Sequence, residues 1–196
     1  MAKMDIEQKK CVTPEFRVSF PAVFTAKAFR DQPAKFSITM LFDKKTDLKE
    51  LKRAATNALT EKWGPKEKWP KGLQMPFRDG DEKEDLQGYA GTITVSASSK
   101  TRPGVVDQKR AQIQETDQTF YAGCYARATL IAFAYDNLKK GVSFSLQNIQ
   151  KLRDGEQFGG RRDASDDFDE VEDNSDDVGS YSKKSKDAPA EDAYDF

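Results

Sequence analysis

Histidine is absent from all 196 residues. Without an imidazole there is no His general base, no Ser–His or Cys–His nucleophile pair and no His metal ligand. Cysteine is nearly absent: Cys11 and Cys124 stand far apart with no ligand set around them, so neither a CxxC redox pair nor a zinc cluster can form. Two isolated thiols fit a reducing compartment. Long apolar runs are missing as well. The longest mostly apolar stretch, Thr129–Tyr135, falls far short of the ~20 residues of a spanning helix. The opening MAKMDIEQKK lacks the apolar segment of a secretory signal. Together these absences predict a soluble, intracellular protein. Apolar residues are scarce overall: the AVILMFWYC set makes up 37% against 33% charged. Globular chains run at roughly 45–50% apolar, with glycine counted and tyrosine not, so part of this chain is expected not to fold.

The formal net charge of −1 averages two opposite halves. Residues 1–162 carry 29 Lys and Arg against 20 Asp and Glu, a formal +9, while residues 163–196 carry 3 against 13, a formal −10. A basic body of residues 1–162 followed by an acidic tail of residues 163–196 points to a nucleic-acid-binding domain with a charged appendage. The tail has few large apolar side chains to offset the entropy of ordering and is expected to be disordered. It ends in Ala-Tyr-Asp-Phe, where Asp192, Tyr194, Asp195 and Phe196 offer a partner an apolar knob beside carboxylates. Its charge can also compete with phosphates for the basic face of its own body.

Within the body, alternation predicts about five strands: Thr13–Phe20, Lys35–Phe42, Gly88–Ser99, Phe120–Tyr135 and Gly141–Ile149. Pro21 interrupts the first. Phe16, Phe20, Phe36, Ile38, Phe133 and Phe144 are expected in the core. A helix is predicted between the second and third strands. Leu48, Leu51, Ala55, Leu59 and Trp63 form its apolar stripe, Asp47 and Glu50 a capping box, and Gly64-Pro65 its stop. Nothing repeats internally. The economical architecture is mainly β, a five-stranded antiparallel barrel in which a strand face and loops bind oligonucleotides. An open antiparallel sheet with the helix on one side is the alternative.

Enzymatic readings do poorly. Asp79, Asp81, Glu82, Glu84 and Asp85 could hold a hard divalent cation for a metal-dependent nuclease, but adjacent acids beside glycine read more simply as a solvated turn. No P-loop and no GxSxG elbow occurs. Binding reads better, because single strands are held by cations along the backbone and aromatic platforms under the bases. The candidates are Lys35 at the start of the second strand, Trp69 and Lys71, Phe77 and Arg78, Lys100 and Arg102 in a loop stiffened by Pro103, Tyr125 and Arg127 on one face of the long strand, and Arg153 before the tail.

Four runs then carry a resemblance: PFRDGDEK (Pro76–Lys83), KTRPGVVD (Lys100–Asp107), FYAGCYARA (Phe120–Ala128) and GVSFSLQNIQKLRDGEQFGGRRDASDDF (Gly141–Phe168). In this order they cover nearly the whole body and resemble a family of bacteriophage single-stranded DNA-binding proteins. The plan is similar to the helix-destabilising proteins of podoviruses and to bacterial single-strand-binding proteins. The resemblance implies an OB-fold body, an acidic tail that recruits polymerase, helicase or primase and competes with DNA, and work in the cytoplasm of an infected bacterium. From the residues themselves, no catalysis and no cofactor or metal are expected. A homodimer is compatible with a tail that covers the groove of a second copy. The rival functions are strand annealing in recombination, the metal-dependent nuclease, and a chaperone-like protein whose basic body meets an acidic partner.

Overall fold

The computed structural model describes residues 5–28 and 33–159. They run as a short helix α1 (Ile6–Lys9), β1 (Lys10–Val12), β2 (Phe16–Lys27), β3 (Lys35–Asp43), helix α2 (Lys49–Trp63), β4 (Phe77–Asp79), β5 (Thr92–Ser99), β6 (Gly104–Val106), β7 (Tyr125–Asp136) and β8 (Lys140–Arg153). Five of these strands close a ring in the order β7-β2-β3-β5-β8 and back to β7. The longest seam is β7–β8, from Tyr125↔Arg153 to Asp136↔Lys140. Two seams are short: β2–β7 pairs Phe16↔Ala126 and Arg17↔Tyr125, and β5–β8 pairs Ala97↔Phe144 and Ser98↔Ser145.

The protein is mainly β, a five-stranded barrel with its main helix between the second and third barrel strands, as the alternation predicts. One feature of the ring differs from the expected antiparallel barrel. A closed ring of five strands cannot alternate direction all the way round, so one seam must be parallel, and it is β5–β8. Three short strands decorate the ring: β1 on β7, β4 on β5 and β6 on β8. β4 and β6 fall where the sequence reads as loop.

Phe16, Ile38, Met40, Phe42, Phe144 and Leu146 fill the interior, with Phe16 edge-on to Phe42 at 5.7 Å. Full burial of such side chains contributes about 1.5–3 kcal/mol each. β7 faces inward with Ala126, Ala128, Leu130 and Ala132, and α2 packs against β7, β1 and β8. The helix buries Leu51, Ala54, Ala55, Ala58 and Leu59. Gly64 stops it at φ +80, and its N–H donates to Thr60 O at 2.8 Å. The expected capping box does not form: Asp47 accepts from the Lys49 N–H at 3.0 Å, and Glu50 pairs with Arg53 at 2.7 Å.

Two residues expected in the core lie outside it. Phe133 is 44% exposed because β7 puts its alanines inward and its aromatics outward. Phe20 is 62% exposed. The cause is a β-bulge. Ser19 pairs with Thr39 and Ala22 with Ser37, so three steps on β2 match two on β3. Phe20 takes up the extra residue at φ +44, just before Pro21, which has no N–H to give the ladder. The strand continues past the bulge to Lys27. Phe36, at the start of β3, is half-buried. No helix among the described residues is long and apolar enough to cross a membrane.

Candidate nucleic-acid interface

The bulge leaves an aromatic ring open on the surface of the barrel. A groove of about 710 Å³ runs along the outer side of β2 and β3, with Phe20, Pro21, Lys27 and Ser37 on one side and Leu86, Tyr89, Phe158 and Gly159 on the other. Phe20 stands in it with its ring 6.5 Å from that of Tyr89, edge-on at 61°. Tyr89 is buried, and its hydroxyl meets Ser19 Oγ at 3.2 Å. The exposed ring is thus propped by a buried one.

The opposite wall is a segment that folds back after β8. Arg17, on β2, lies with its guanidinium 4.2 Å from the centre of the Phe158 ring. Its Nε donates to Gly123 O at 3.2 Å and its Nη2 to Glu156 O at 2.8 Å. The Phe158 N–H donates to Ala122 O at 2.8 Å. Gln87 closes the wall from the other side, donating to Glu156 at 3.2 Å and accepting from the Gly159 N–H at 3.2 Å. Gly88 makes room for the ring: at φ +81, a Cβ there would sit 2.3 Å from Phe158 Cζ.

Cations gather at the strand ends beside this groove. Lys27 lines it and is the register partner of Lys35. Phe36↔Ser99 is the next pair to β5, which places Lys35 and Lys100 at neighbouring strand ends. Arg102 follows, 5.6 Å from the centre of the Phe24 ring. None of these four cations has an ion-pair partner among the described residues. From the groove, hydroxyls continue over the outer face of the sheet: Ser37, Thr39, Ser96 and Ser98, with Thr39 Oγ1 and Ser96 Oγ 3.2 Å apart. Hydroxyls of this kind bond phosphate oxygens without reading sequence.

The ten residues singled out from the sequence fall in three places, and none lines this groove. Lys35 and Lys100 stand at the strand ends beside Lys27, and Arg102 lies over Phe24 in a neighbouring cavity. Tyr125, Arg127 and Arg153 gather on the outer face of β7–β8. There the Arg153 guanidinium covers the Tyr125 ring at 3.3 Å and holds Glu15 at 2.6 Å, while Arg127 donates to Gln150 at 2.9 Å. Trp69, Lys71, Phe77 and Arg78 belong to the segment before and within β4. Trp69 donates its indole N–H to Gly64 O at 2.9 Å, closing the end of α2. Phe77 packs edge-on to the buried Phe144 at 6.3 Å, Arg78 donates to Gln74 at 3.3 Å, and Lys71 is exposed. Asp192, Tyr194, Asp195 and Phe196 lie outside the described residues. The sequence reading places the groove residue Phe20 in the core and singles out neither Tyr89 nor Phe158. The usable signal was Pro21, since proline within a strand pattern marks a bulge.

The acidic turn holds a cation of the protein's own. Lys44 Nζ sits 2.9 Å from Asp79 and 2.5 Å from Asp81, and its hydrogen bonds hold both carboxyls below their usual range. Among the described residues no group of three or more His, Cys, Asp or Glu is placed to hold a metal ion.

A closed five-stranded barrel with an aromatic groove across its first two strands is an oligonucleotide-binding type of architecture. The chain belongs to the family of the single-stranded DNA-binding protein of Enterobacter phage Enc34, whose model it matches over residues 9–178. A protein designated p50, from Acyrthosiphon pisum secondary endosymbiont phage 1, is 39% identical over 166 residues, covering 79% of this chain and 90% of that protein. The solved Enc34 protein is 25% identical with a TM-score of 0.65, covering 83% of this chain and 92% of its own. Its complex with single-stranded DNA superimposes at a TM-score of 0.67 with 22% identity, over 78% and 91% of the two chains. The fold is shared further with gp2.5, a single-stranded DNA-binding protein of bacteriophage T7, at a TM-score of 0.52 and 17% identity over 89% and 98%.

Proposed function

We propose that this chain binds single-stranded DNA in the Phe20 groove, without catalysis, and coats it during phage DNA replication or recombination. The observation that carries this is the exposed Phe20 ring. It is an aromatic platform lifted out of a strand by a bulge, propped by Tyr89 and accompanied by Lys27, which has no ion-pair partner among the described residues. Stacking on such a ring contributes about 1–3 kcal/mol per base and accepts any base. A duplex hides its base faces, so selective binding to single strands shifts the melting equilibrium by mass action and needs no ATP.

The acidic tail supports two further parts of the reading. Its charge of −10 opposes the +9 of the body, which suits it to compete with phosphates for the groove. Its last residues, Asp192, Tyr194, Asp195 and Phe196, suit a hook for a replication protein such as a polymerase, helicase or primase. The setting is the host cytoplasm, and a homodimer follows if the tail of one copy covers the groove of another.

The test is a titration of the full chain, and of a chain lacking Asp163–Phe196, against a labelled single strand and a duplex at several salt concentrations. The reading requires salt-sensitive binding to the single strand over the duplex, tighter without the tail. Equal binding to duplex defeats the single-strand reading, and unchanged affinity in the shortened chain defeats the competing tail.

A further inference from the structure

A second cavity, of about 400 Å³, lies beside the main groove and shares Pro21, Ala22 and Lys27 with it. Its chemistry differs. Its apolar wall is Phe24 and Phe120, whose rings stand 6.2 Å apart at 89°. Its polar lining includes Glu115, Gln118 and Gln157, and Lys27 lines both cavities.

Glu115 is held in place from two sides. It opens a single helical turn, Glu115–Asp117, whose start is fixed by the Gln114 N–H donating to Asp117 at 2.7 Å. The Thr25 hydroxyl donates to its carboxylate, 3.1 and 3.3 Å from the two oxygens. A hydroxyl has one proton to give, whereas a carboxylate offers about four acceptor sites. Glu115 therefore keeps acceptor capacity toward the cavity. Among the described residues it has no ion-pair partner.

A seat for phosphate would carry cations around its rim. A carboxylate there repels phosphate and accepts from N–H groups instead. Aromatic walls beside a fixed carboxylate suit a base unstacked from its neighbours and read on its hydrogen-bonding edge. Cytosine presents an exocyclic amine, for which carboxylates are the natural acceptor. Thymine presents one N–H between two carbonyl oxygens, both of which repel a carboxylate.

We propose that this cavity is a base-reading subsite that seats cytosine in preference to thymine. Glu115 accepts from the exocyclic amine, Phe24 and Phe120 cover the ring, and Lys27 takes the adjoining phosphate. The inference rests on the single-stranded DNA reading and gives that sequence-tolerant binding a bias in base composition.

The test compares the full chain with Glu115→Gln on oligo-dC and oligo-dT of equal length. Removing a negative charge from the phosphate path tightens binding to oligo-dT. Losing the charged acceptor offsets that gain on oligo-dC. The ratio of oligo-dC to oligo-dT affinity should therefore fall about fivefold, a modest share of what a good base contact discriminates. Thr25→Ala, which frees the carboxylate without removing it, should lower the ratio part of the way. Glu115 is exposed, and a thermal melt checks that both variants remain folded. Equal changes on both oligonucleotides, or an unaltered ratio, overturn the subsite alone. Failure of the unaltered chain to bind either oligonucleotide overturns the reading beneath it.

Discussion

The guanidinium of Arg17 stands 4.2 Å from the centre of the Phe158 ring, so a strand of the barrel and the segment that leaves the barrel are fastened together at the edge of the Phe20 groove. Two backbone carbonyls, of Gly123 and Glu156, fix the guanidinium there. Arg17 is spent on building a wall and is not free to meet a phosphate.

That arrangement predicts coupling. Arg17→Ala and Phe158→Ala should each weaken single-strand binding, and the double variant should lose less than the sum. The coupling expected of a cation over an aromatic ring is about 1 kcal/mol. Gly88→Ala should imitate Phe158→Ala, because its Cβ would occupy the seat of the ring. A double-mutant cycle on oligonucleotide affinity measures this, and strict additivity would show that the two residues act separately.

Phe20→Ala should cost about 1–3 kcal/mol of single-strand affinity, as the loss of one stacked base does. Its effect on stability should stay within about 0.5 kcal/mol, as for other surface positions, since the ring is 62% exposed. Fluorescence anisotropy and a urea melt on the same preparations separate the two effects.

Salt dependence should sort the cations. Each phosphate contact on a single strand contributes a slope of about −0.7 to the dependence of log affinity on log salt. Replacing Lys27, Lys35, Lys100 or Arg102 with Gln should flatten the slope by about that amount each. Arg153→Gln should leave it nearly unchanged, because Arg153 already holds Glu15 and covers Tyr125. An equal flattening from Arg153→Gln would move the phosphate path to the outer face of β7–β8.

The acid limb of stability should depend on Lys44. Hydrogen bonds from Lys44 hold the carboxyls of Asp79 and Asp81 below their usual range, and the same bonds raise Lys44. A lowered carboxyl contributes stability that is fully present above its unfolded value, near 3.8, and is lost as pH falls through the folded one. The Lys44 contribution is present below about 10.5 and fades as pH rises through its raised folded value. Melting temperatures across pH should show both limbs, and Lys44→Met should remove this part of each.

Much of the barrel was legible from alternation. Ile38, Met40 and Phe42 against Ser37 and Thr39, or Phe144 and Leu146 against Ser143 and Ser145, show strands with one face inward. The stripe Leu48, Leu51, Ala55 and Leu59 shows the helix. Alternation says which residues share a face, however, and does not say which face is inside. On β7 alternation puts Tyr125, Arg127, Ile131 and Phe133 on one face, but the interior took the alanines opposite them. At Phe20 the single extra residue of the bulge reversed the reading for a ring that lines the groove. Phe158 was out of reach for another reason: its place depends on Arg17, 141 positions earlier in the chain, and no local pattern records such a contact.

Bases are expected to stack in the groove beside Phe20. Photocross-linking of the full chain to a halogenated-uracil single strand, with the attached peptides mapped by mass spectrometry, tests it most directly. The structure calls for adducts on the β2 peptide carrying Phe20, together with the peptides carrying Tyr89 or Phe158. Adducts confined to Tyr125 and Phe133 on β7, or to Trp69 and Phe77 ahead of β5, would place the DNA elsewhere on the barrel and contradict it.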